Sequence, residues 1–132
     1  MKKLLLSLLF IQIFSFLNFA NAQSRPPIQF DYDGDGRGDL SVFRPSNGVW
    51  YIESFYLGSQ AIQFGMNGDK PVPADYDADG ATNIAVFRPS NNSWYIRNRS
   101  GEFFDLPFGL PGDIPVPADY DGDRRAEIGR TH

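Results

Sequence analysis

The stretch DYDGDG at residues 31–36 returns as DYDADG at 75–80 and as DYDGDR at 119–124, each time after a step of 44 residues. When residues 27–70 are aligned with 71–114, 19 of the 44 positions are identical. Self-similarity at a fixed period of this length is typical of repeat architectures, in which each unit buries its apolar face against a neighbour. The chain therefore divides into a first repeat at 27–70, a second at 71–114 and a partial third at 115–132.

Each repeat reads as four short strands joined by turns. In the second repeat the predicted strands are 71–74, 84–88, 94–96 and 103–106. Asn47-Gly48 in the first repeat is a strong hairpin signal, and no stretch shows a sustained helical period. Four strands in 44 residues are typical of a propeller blade. The sequence predicts an all-β fold of β-propeller-like blades, each of four antiparallel strands, in about two and a half repeats, and so an incomplete propeller.

Large aromatic residues and one arginine recur at matching positions of the first two repeats. Trp50 matches Trp94, and such rings are predicted to pack blade against blade, the alternative being an exposed role in stacking on a sugar or a partner. Arg44 and Arg88 recur in the sequence FRPS. They are predicted to pair with the acidic loops, with ligand binding as the alternative.

The first 22 residues have the layout of a secretory signal peptide. Lys2 and Lys3 give a positive start, residues 4–19 form an apolar run, and Ala20-Asn21-Ala22 offers a cleavage site. The run is shorter than the roughly 20 residues that a membrane span needs, which disfavours a membrane anchor. We expect cleavage after Ala22, no membrane span in the mature chain, and a secreted, periplasmic or cell-surface location.

The composition restricts the possible partners and the means of stabilisation. The chain has no cysteine, so an exported fold of this size would need another staple, for which bound metal is the obvious candidate. Without Lys2 and Lys3, ten basic residues face sixteen acidic ones, and a nucleic-acid partner is not expected on that balance. Eleven of the sixteen acids lie in three nine-residue windows, where their mutual repulsion calls for neutralisation.

Those three windows are the candidate metal sites. Counted from its first Asp, each loop carries side-chain oxygens at positions 1, 3, 5 and 9, and position 7 could add a backbone carbonyl. Position 6 is glycine in the first two loops, where the chain must turn sharply. An all-oxygen set without His or Cys suits calcium. The candidate ligands are Asp31, Asp33, Asp35, Arg37 (carbonyl) and Asp39; Asp75, Asp77, Asp79, Ala81 (carbonyl) and Asn83; and Asp119, Asp121, Asp123 and Glu127.

The EF-hand shares the first half of this pattern but does not fit the rest. An EF-hand needs a bidentate Glu at position 12 and a helix on each side. Position 12 is Val42, Val86 or Arg130 here, and the flanks are predicted strands.

The motif D-x-D-x-D-G-x-x-D/N stands before an apolar strand. Phe64-Gly65 and Phe108-Gly109 each lead into a PVPA stretch, at 71–74 and 115–118. This combination resembles the FG-GAP (VCBS-type) repeat. That family includes the propeller heads of integrin alpha chains and many exported bacterial proteins. The resemblance covers about 27–132 and implies a β-propeller blade with calcium in the loop between its first two strands. It also implies that the side chains above in the first two loops, with the carbonyls of Arg37 and Ala81, are the ligands; whether the third loop binds metal stays open.

The third repeat departs from the pattern. Arg124 replaces the turn glycine, Glu127 is longer than Asp or Asn, and the repeat is predicted to stop after roughly two strands. Because propellers close with at least about four blades, the chain could be a fragment of a larger secreted propeller protein, a protomer that completes a ring by self-association, or an open stack with exposed edges.

The leading hypothesis for function is a non-enzymatic, exported module in which structural calcium supports adhesion or binding to an extracellular protein or glycan. The alternatives are a fragment without independent function, a non-catalytic module of a polysaccharide-active enzyme, or catalysis itself by paired carboxylates. Few acids lie outside the loops: Glu53, Asp69, Glu102, Asp105 and Asp113. The single histidine is the terminal His132, and no nucleophile–base pair is visible, so an enzyme is not expected.

Overall fold

The computed structural model describes residues 28–128, so the predicted signal peptide and the last four residues lie outside the described part. Two antiparallel sheets form there. The first sheet contains β1 (Leu40–Arg44), β2 (Val49–Ser54) and β3 (Gly58–Gln63) in that order. The second sheet contains β4 (Lys70–Pro71), β5 (Ile84–Arg88), β6 (Ser93–Arg97) and β7 (Phe103–Pro107). Residues 28–128 contain no helix, so the all-β, partial β-propeller-like fold is confirmed.

The strands of the second sheet agree with the prediction except at its start. The predicted strand at 71–74 is reduced to Lys70–Pro71 and an isolated bridge between Ala74 and Asn83. Pro71 and Pro73 have no N–H to donate, which restricts this segment to edge pairing. The amide of Val72 still donates to the carbonyl of Ala85 at 2.8 Å.

The other two repeats form fewer strands than predicted within the described residues. The first sheet has three strands, and its predicted first strand would begin at Pro27, outside the described part. The third repeat was predicted to stop after roughly two strands, and the second of these would match 84–88 and so fall at 128–132, almost entirely outside the described residues. Residues 115–128, the described part of this repeat, contain no strand. Only an isolated bridge between Ala118 and Glu127 forms there. Pro115 and Pro117 deprive this segment of donors in the same way as the matching prolines before it.

The core lies between successive repeats and uses alternate residues of each strand. One face of the second sheet, with Ile84 and Val86, packs against Trp50 and Ile52 of the first sheet. Its opposite face, with Phe87, Trp94 and Ile96, packs against Ala126 and Ile128 of the third repeat. Because β-strand side chains alternate between faces, the central strands β5 and β6 of the second sheet are buried on both sides, whereas β4 and most of β7 are exposed.

The recurring aromatic residues take the predicted packing role. Trp50 and Trp94 are 2% and 4% exposed, and each indole N–H donates to a backbone carbonyl, of Phe64 at 2.9 Å and of Phe108 at 3.2 Å. The rings of Phe43 and Trp50 lie 5.2 Å apart. Since both tryptophans are buried and hydrogen-bonded, neither offers a surface on which a sugar could stack.

Across residues 28–128, no helix is long and apolar enough to cross a bilayer.

Candidate metal-binding loops

The first aspartate of each acidic loop holds the loop's turn together. We call residues 31–39, 75–83 and 119–127 loops 1, 2 and 3. In each loop this carboxylate accepts the N–H of position 4 with one oxygen and the N–H of position 6 with the other. The two distances are 2.7 and 2.8 Å for Asp31, 2.8 and 3.0 Å for Asp75, and 2.7 and 2.9 Å for Asp119. The conformation of each turn therefore depends on the carboxylate at position 1.

Two positions of each loop have a left-handed backbone. At position 6, φ is 86° for Gly36, 85° for Gly80 and 75° for Arg124, so the arginine keeps the turn that glycine makes elsewhere. At position 4, φ is 77° for Gly34, 60° for Ala78 and 85° for Gly122. From the sequence, a sharp turn was predicted at position 6 but no left-handed residue at position 4. The glycines at position 4 of loops 1 and 3 could have indicated that conformation.

Ala78 is the residue whose side chain conflicts with this requirement at position 4. We expect Ala78→Gly to raise the free energy of unfolding by about 0.5–1 kcal/mol, because relief of left-handed strain outweighs the added entropy of the unfolded chain. Thermal melting of the calcium-free protein should show a rise of a few degrees. Ala61→Gly in β3, where φ is negative, is the control and should lower the melting temperature. A decrease for both variants would contradict the strain argument.

The structure brings acidic side chains together in all three loops. Carboxylate oxygens lie within 4.8 Å of one another in three groups: Asp31, Asp33 and Asp39; Asp75, Asp77 and Asp79; and Asp119, Asp121, Asp123 and Glu127. Asp35 is the one predicted acid left out of its group, and its Oδ1 accepts the N–H of Arg37 at 2.8 Å. Loop 3, the copy that departs most in sequence, has the fullest acidic group.

The side chain at position 9 closes each loop as well as facing the acids. It accepts the N–H of the tyrosine at position 2, at 2.8 Å for Asp39, 2.7 Å for Asn83 and 2.6 Å for Glu127. The longer Glu127 therefore makes the same bond as its counterparts. The amide nitrogen of Asn83 also donates to Asp77 at 3.2 Å. The sequence pattern indicated position 9 only as a ligand and gave no sign of this structural bond.

The carboxylates differ in electrostatic environment. Burial raises the pKa of Asp39, and the other three acids of its loop act in the same direction. Burial likewise raises the pKa of Asp75, with a further contribution from Asp77. The pKa of Asp33 is lowered, chiefly because the hydroxyl of Ser54 donates to it at 2.7 Å. The raised values mean that negative charge is disfavoured where these acids meet, which a cation would reverse.

Successive loops are joined to one another by a repeated backbone bond. The N–H at position 8 of one loop donates to the position 1 carbonyl of the preceding loop. The distances are 2.6 Å from Thr82 to Asp31 and 2.7 Å from Ala126 to Asp75. Arg99 adds a bond to the carbonyl of Asp33 at 2.7 Å. The acidic loops thus lie at the junctions between repeats, where stiffening one loop also fixes its neighbour.

The prediction that Arg44 and Arg88 pair with the acidic loops is wrong. Arg88 forms a bidentate pair with Asp69, in the connection from β3 to β4, through two bonds of 2.9 Å. Arg44 lies over the ring of Tyr51 and donates to its hydroxyl at 2.9 Å. Both arginines end strands at the opposite end from the loops, since β1 and β5 begin directly after loops 1 and 2.

The donor set of the loops suits a hard divalent cation. Each carboxylate offers about four acceptor sites, and the loop N–H bonds use only one to three of them. The predicted carbonyl donors are on Arg37, which is exposed, and Ala81, which is 1% exposed. All these donors are oxygens, as calcium prefers. The ligand assignment stays a prediction, and the donor atoms present are of the kind that calcium binding requires.

One comparison with known proteins found a match. Residues 75–129 match the family model described as FG-GAP-like repeat. This range contains loops 2 and 3 with β5, β6 and β7 between them. No match was found among curated proteins or among solved structures.

Proposed function

We propose, on the premise that this chain is an FG-GAP-type repeat protein, that it is an exported, calcium-stabilised binding module without catalytic activity. FG-GAP repeats are typically non-catalytic modules. The observation that carries the proposal is the position of the three acidic groups, since each lies in a loop that is hydrogen-bonded to a loop of a neighbouring repeat. A cation there would neutralise the carboxylates and staple the junction between repeats.

The ligands proposed are those predicted from the sequence, with the acidic groups at their centre. Calcium would supply charge neutralisation and additional rigidity, and no reaction. The export signal predicted at residues 1–22 and the absence of cysteine support this role, because extracellular calcium is abundant and no disulfide can replace it. In the cytoplasm such a site would be too weak to fill.

A protein or glycan partner is proposed from a feature that the repeat does not require. Phe55, Tyr56 and Leu57 form the turn between β2 and β3 and are 81%, 80% and 57% exposed. The matching residues of the second repeat are Arg99-Ser100-Gly101, so propeller packing does not need apolar side chains there. Three adjacent large apolar residues in water are unusual unless they contact something. This turn supports binding to an extracellular surface.

Chelation tests the calcium proposal. Extracellular modules bind calcium with Kd of about 10⁻⁴–10⁻³ M, so about 1 mM calcium should add roughly 0.4–1.4 kcal/mol per site. We expect the melting temperature to fall when EDTA replaces calcium, and Asp33→Ala to reduce the calcium bound per chain in isothermal titration. Asp105→Ala, an acid on β7 outside the loops, is the control and should leave the stoichiometry unchanged. A melting curve unmoved by EDTA would refute the proposal.

A further inference from the structure

The first sheet has one face against which no described residue packs in a core cluster. We call it the outer face and define it by Leu40, Val42, Arg44, Tyr51 and Glu53. In the register of β1 and β2, Leu40 lies opposite Glu53 and Val42 opposite Tyr51. Directly opposite residues of an antiparallel pair share a face. Leu40 and Val42 are 78% and 59% exposed, which places large apolar side chains in water.

The matching face of the second sheet shows that this surface is built to be covered. Its residues are Ile84, Val86, Arg88, Tyr95 and Arg97, each 44 positions further along. Ile84 and Val86 are 5% and 0% exposed because the first sheet packs on them. The charge of Arg88 is met there by Asp69 from the covering repeat. The outer face has the same apolar centre without this cover among residues 28–128.

The charges of the two faces differ in one respect. The second sheet has two arginines, Arg88 and Arg97, whereas the outer face has Arg44 and Glu53 at the matching positions. Arg44 and Glu53 are both exposed and lie at opposite ends of the β1–β2 ladder. Their backbone positions are separated by four residues along the strand, about 13 Å. The outer face therefore has a cation at one end, an apolar centre, and an anion at the other.

A surface with this order of charges is complementary to itself. A twofold axis that runs parallel to the sheet and perpendicular to its strands, above the Val42–Tyr51 pair, turns two outer faces towards each other and places the basic end of one copy against the acidic end of the other. We propose that the outer face binds a second copy of this chain. Arg44 of each copy pairs with Glu53 of the other, and Leu40, Val42 and Tyr51 are buried between them. The ring of Tyr51 already lies under the Arg44 guanidinium at 4.4 Å, which orders that side chain before association.

Charge reversal tests this arrangement by sedimentation equilibrium of the purified chain in calcium, over protein concentrations from about 5 µM to 500 µM. We expect a monomer–dimer equilibrium, because one sheet face buries less than a standard stable interface. Arg44→Glu and Glu53→Arg should each raise the dimer Kd about tenfold or more, since each creates two like-charged contacts. The double variant Arg44→Glu/Glu53→Arg restores opposite charges and should dimerise like the wild type.

Mixing the two single variants gives the sharpest result. In a mixed pair both contacts join opposite charges, so the heterodimer should form although neither variant dimerises alone. Glu102→Arg, which makes the same charge change outside the face, is the control and should dimerise normally. A wild type that is monomeric at every concentration would overturn the proposal. So would a dimer that keeps its Kd in both single variants, which would assign association to the strand edges instead.

Discussion

Asp69→Ala should lower the free energy of unfolding by about 2–4 kcal/mol, more than removal of most other acids in the chain. The Asp69 side chain is 1% exposed, and Arg88 is 17% exposed. Truncation leaves the guanidinium without its partner in a largely dry site, which is costly even where the intact pair contributes little net stability. The amide of Met66, which donates to Asp69 at 3.0 Å, loses its acceptor as well.

The repeat supplies a matched control for this change. Asp113 occupies the same position 44 residues later and accepts the N–H of Leu110 at 2.8 Å, but it is exposed. Asp113→Ala should cost only about 0.5–1 kcal/mol. Urea denaturation with calcium at a fixed concentration measures both. Equal shifts for the two variants would show that the pair with Arg88 does not hold the repeats together.

A double substitution separates the pair from its surroundings. Asp69→Leu combined with Arg88→Met removes both charges and keeps most of the volume, so it should recover much of the stability lost by Asp69→Ala. If the double variant stays as unstable as Asp69→Ala, the stabilising effect of Asp69 comes from its bond to the Met66 amide and not from neutralising Arg88.

The sequence predicted the repeat, the all-β class and most strands because these depend on local and periodic signals. Residues 84–88 are β-branched and aromatic and end at Pro89, and the strand has those bounds. Turn glycines and alternating acids are local signals too, which is why the three acidic groups could be anticipated. The strand at 71–74 was overestimated because its prolines limit pairing more than its apolar character favours it.

The partner of Arg88 could not be predicted in this way. The pair forms across the junction of two repeats. Which acid the Arg88 side chain reaches therefore depends on how one sheet packs on the next. Both Asp69 and the loop acids are close enough in sequence to be candidates, and only the packing separates them. Position 4 was missed for a different reason. In loop 2 this position is Ala78, and alanine does not indicate a left-handed conformation, whereas the glycines at position 4 of loops 1 and 3 do.

Burial also differs between copies of one motif, and no local signal carries that difference. Asp31 is 2% exposed because Thr82 and the second repeat pack beside loop 1, whereas Asp119 is exposed. The two residues nevertheless make the same pair of bonds with nearly the same lengths. This makes the position 1 aspartates a series in which burial varies while the bonds to positions 4 and 6 stay the same, and Asp31 accepts one further bond, from Asp35.

Asp31→Ala should therefore destabilise the calcium-free protein by about 2–4 kcal/mol. The carboxylate accepts the N–H groups of Gly34 at 2.7 Å, Asp35 at 3.1 Å and Gly36 at 2.8 Å. Its removal leaves these donors around a position from which water is largely excluded, and each such donor costs about 1–3 kcal/mol, less where water can enter. Urea denaturation in EDTA measures the effect without a contribution from bound metal.

Asp119→Ala provides the comparison, with an expected cost of about 0.5–1.5 kcal/mol because water can replace the lost acceptor in exposed loop 3. Asp75, with intermediate burial, should fall between them. If the order Asp31, Asp75, Asp119 holds in EDTA, the first aspartate maintains the loop independently of any cation. Equal costs in EDTA would contradict this. Calcium would then act on a turn that is already formed, and its contribution would be the modest mass-action gain per site.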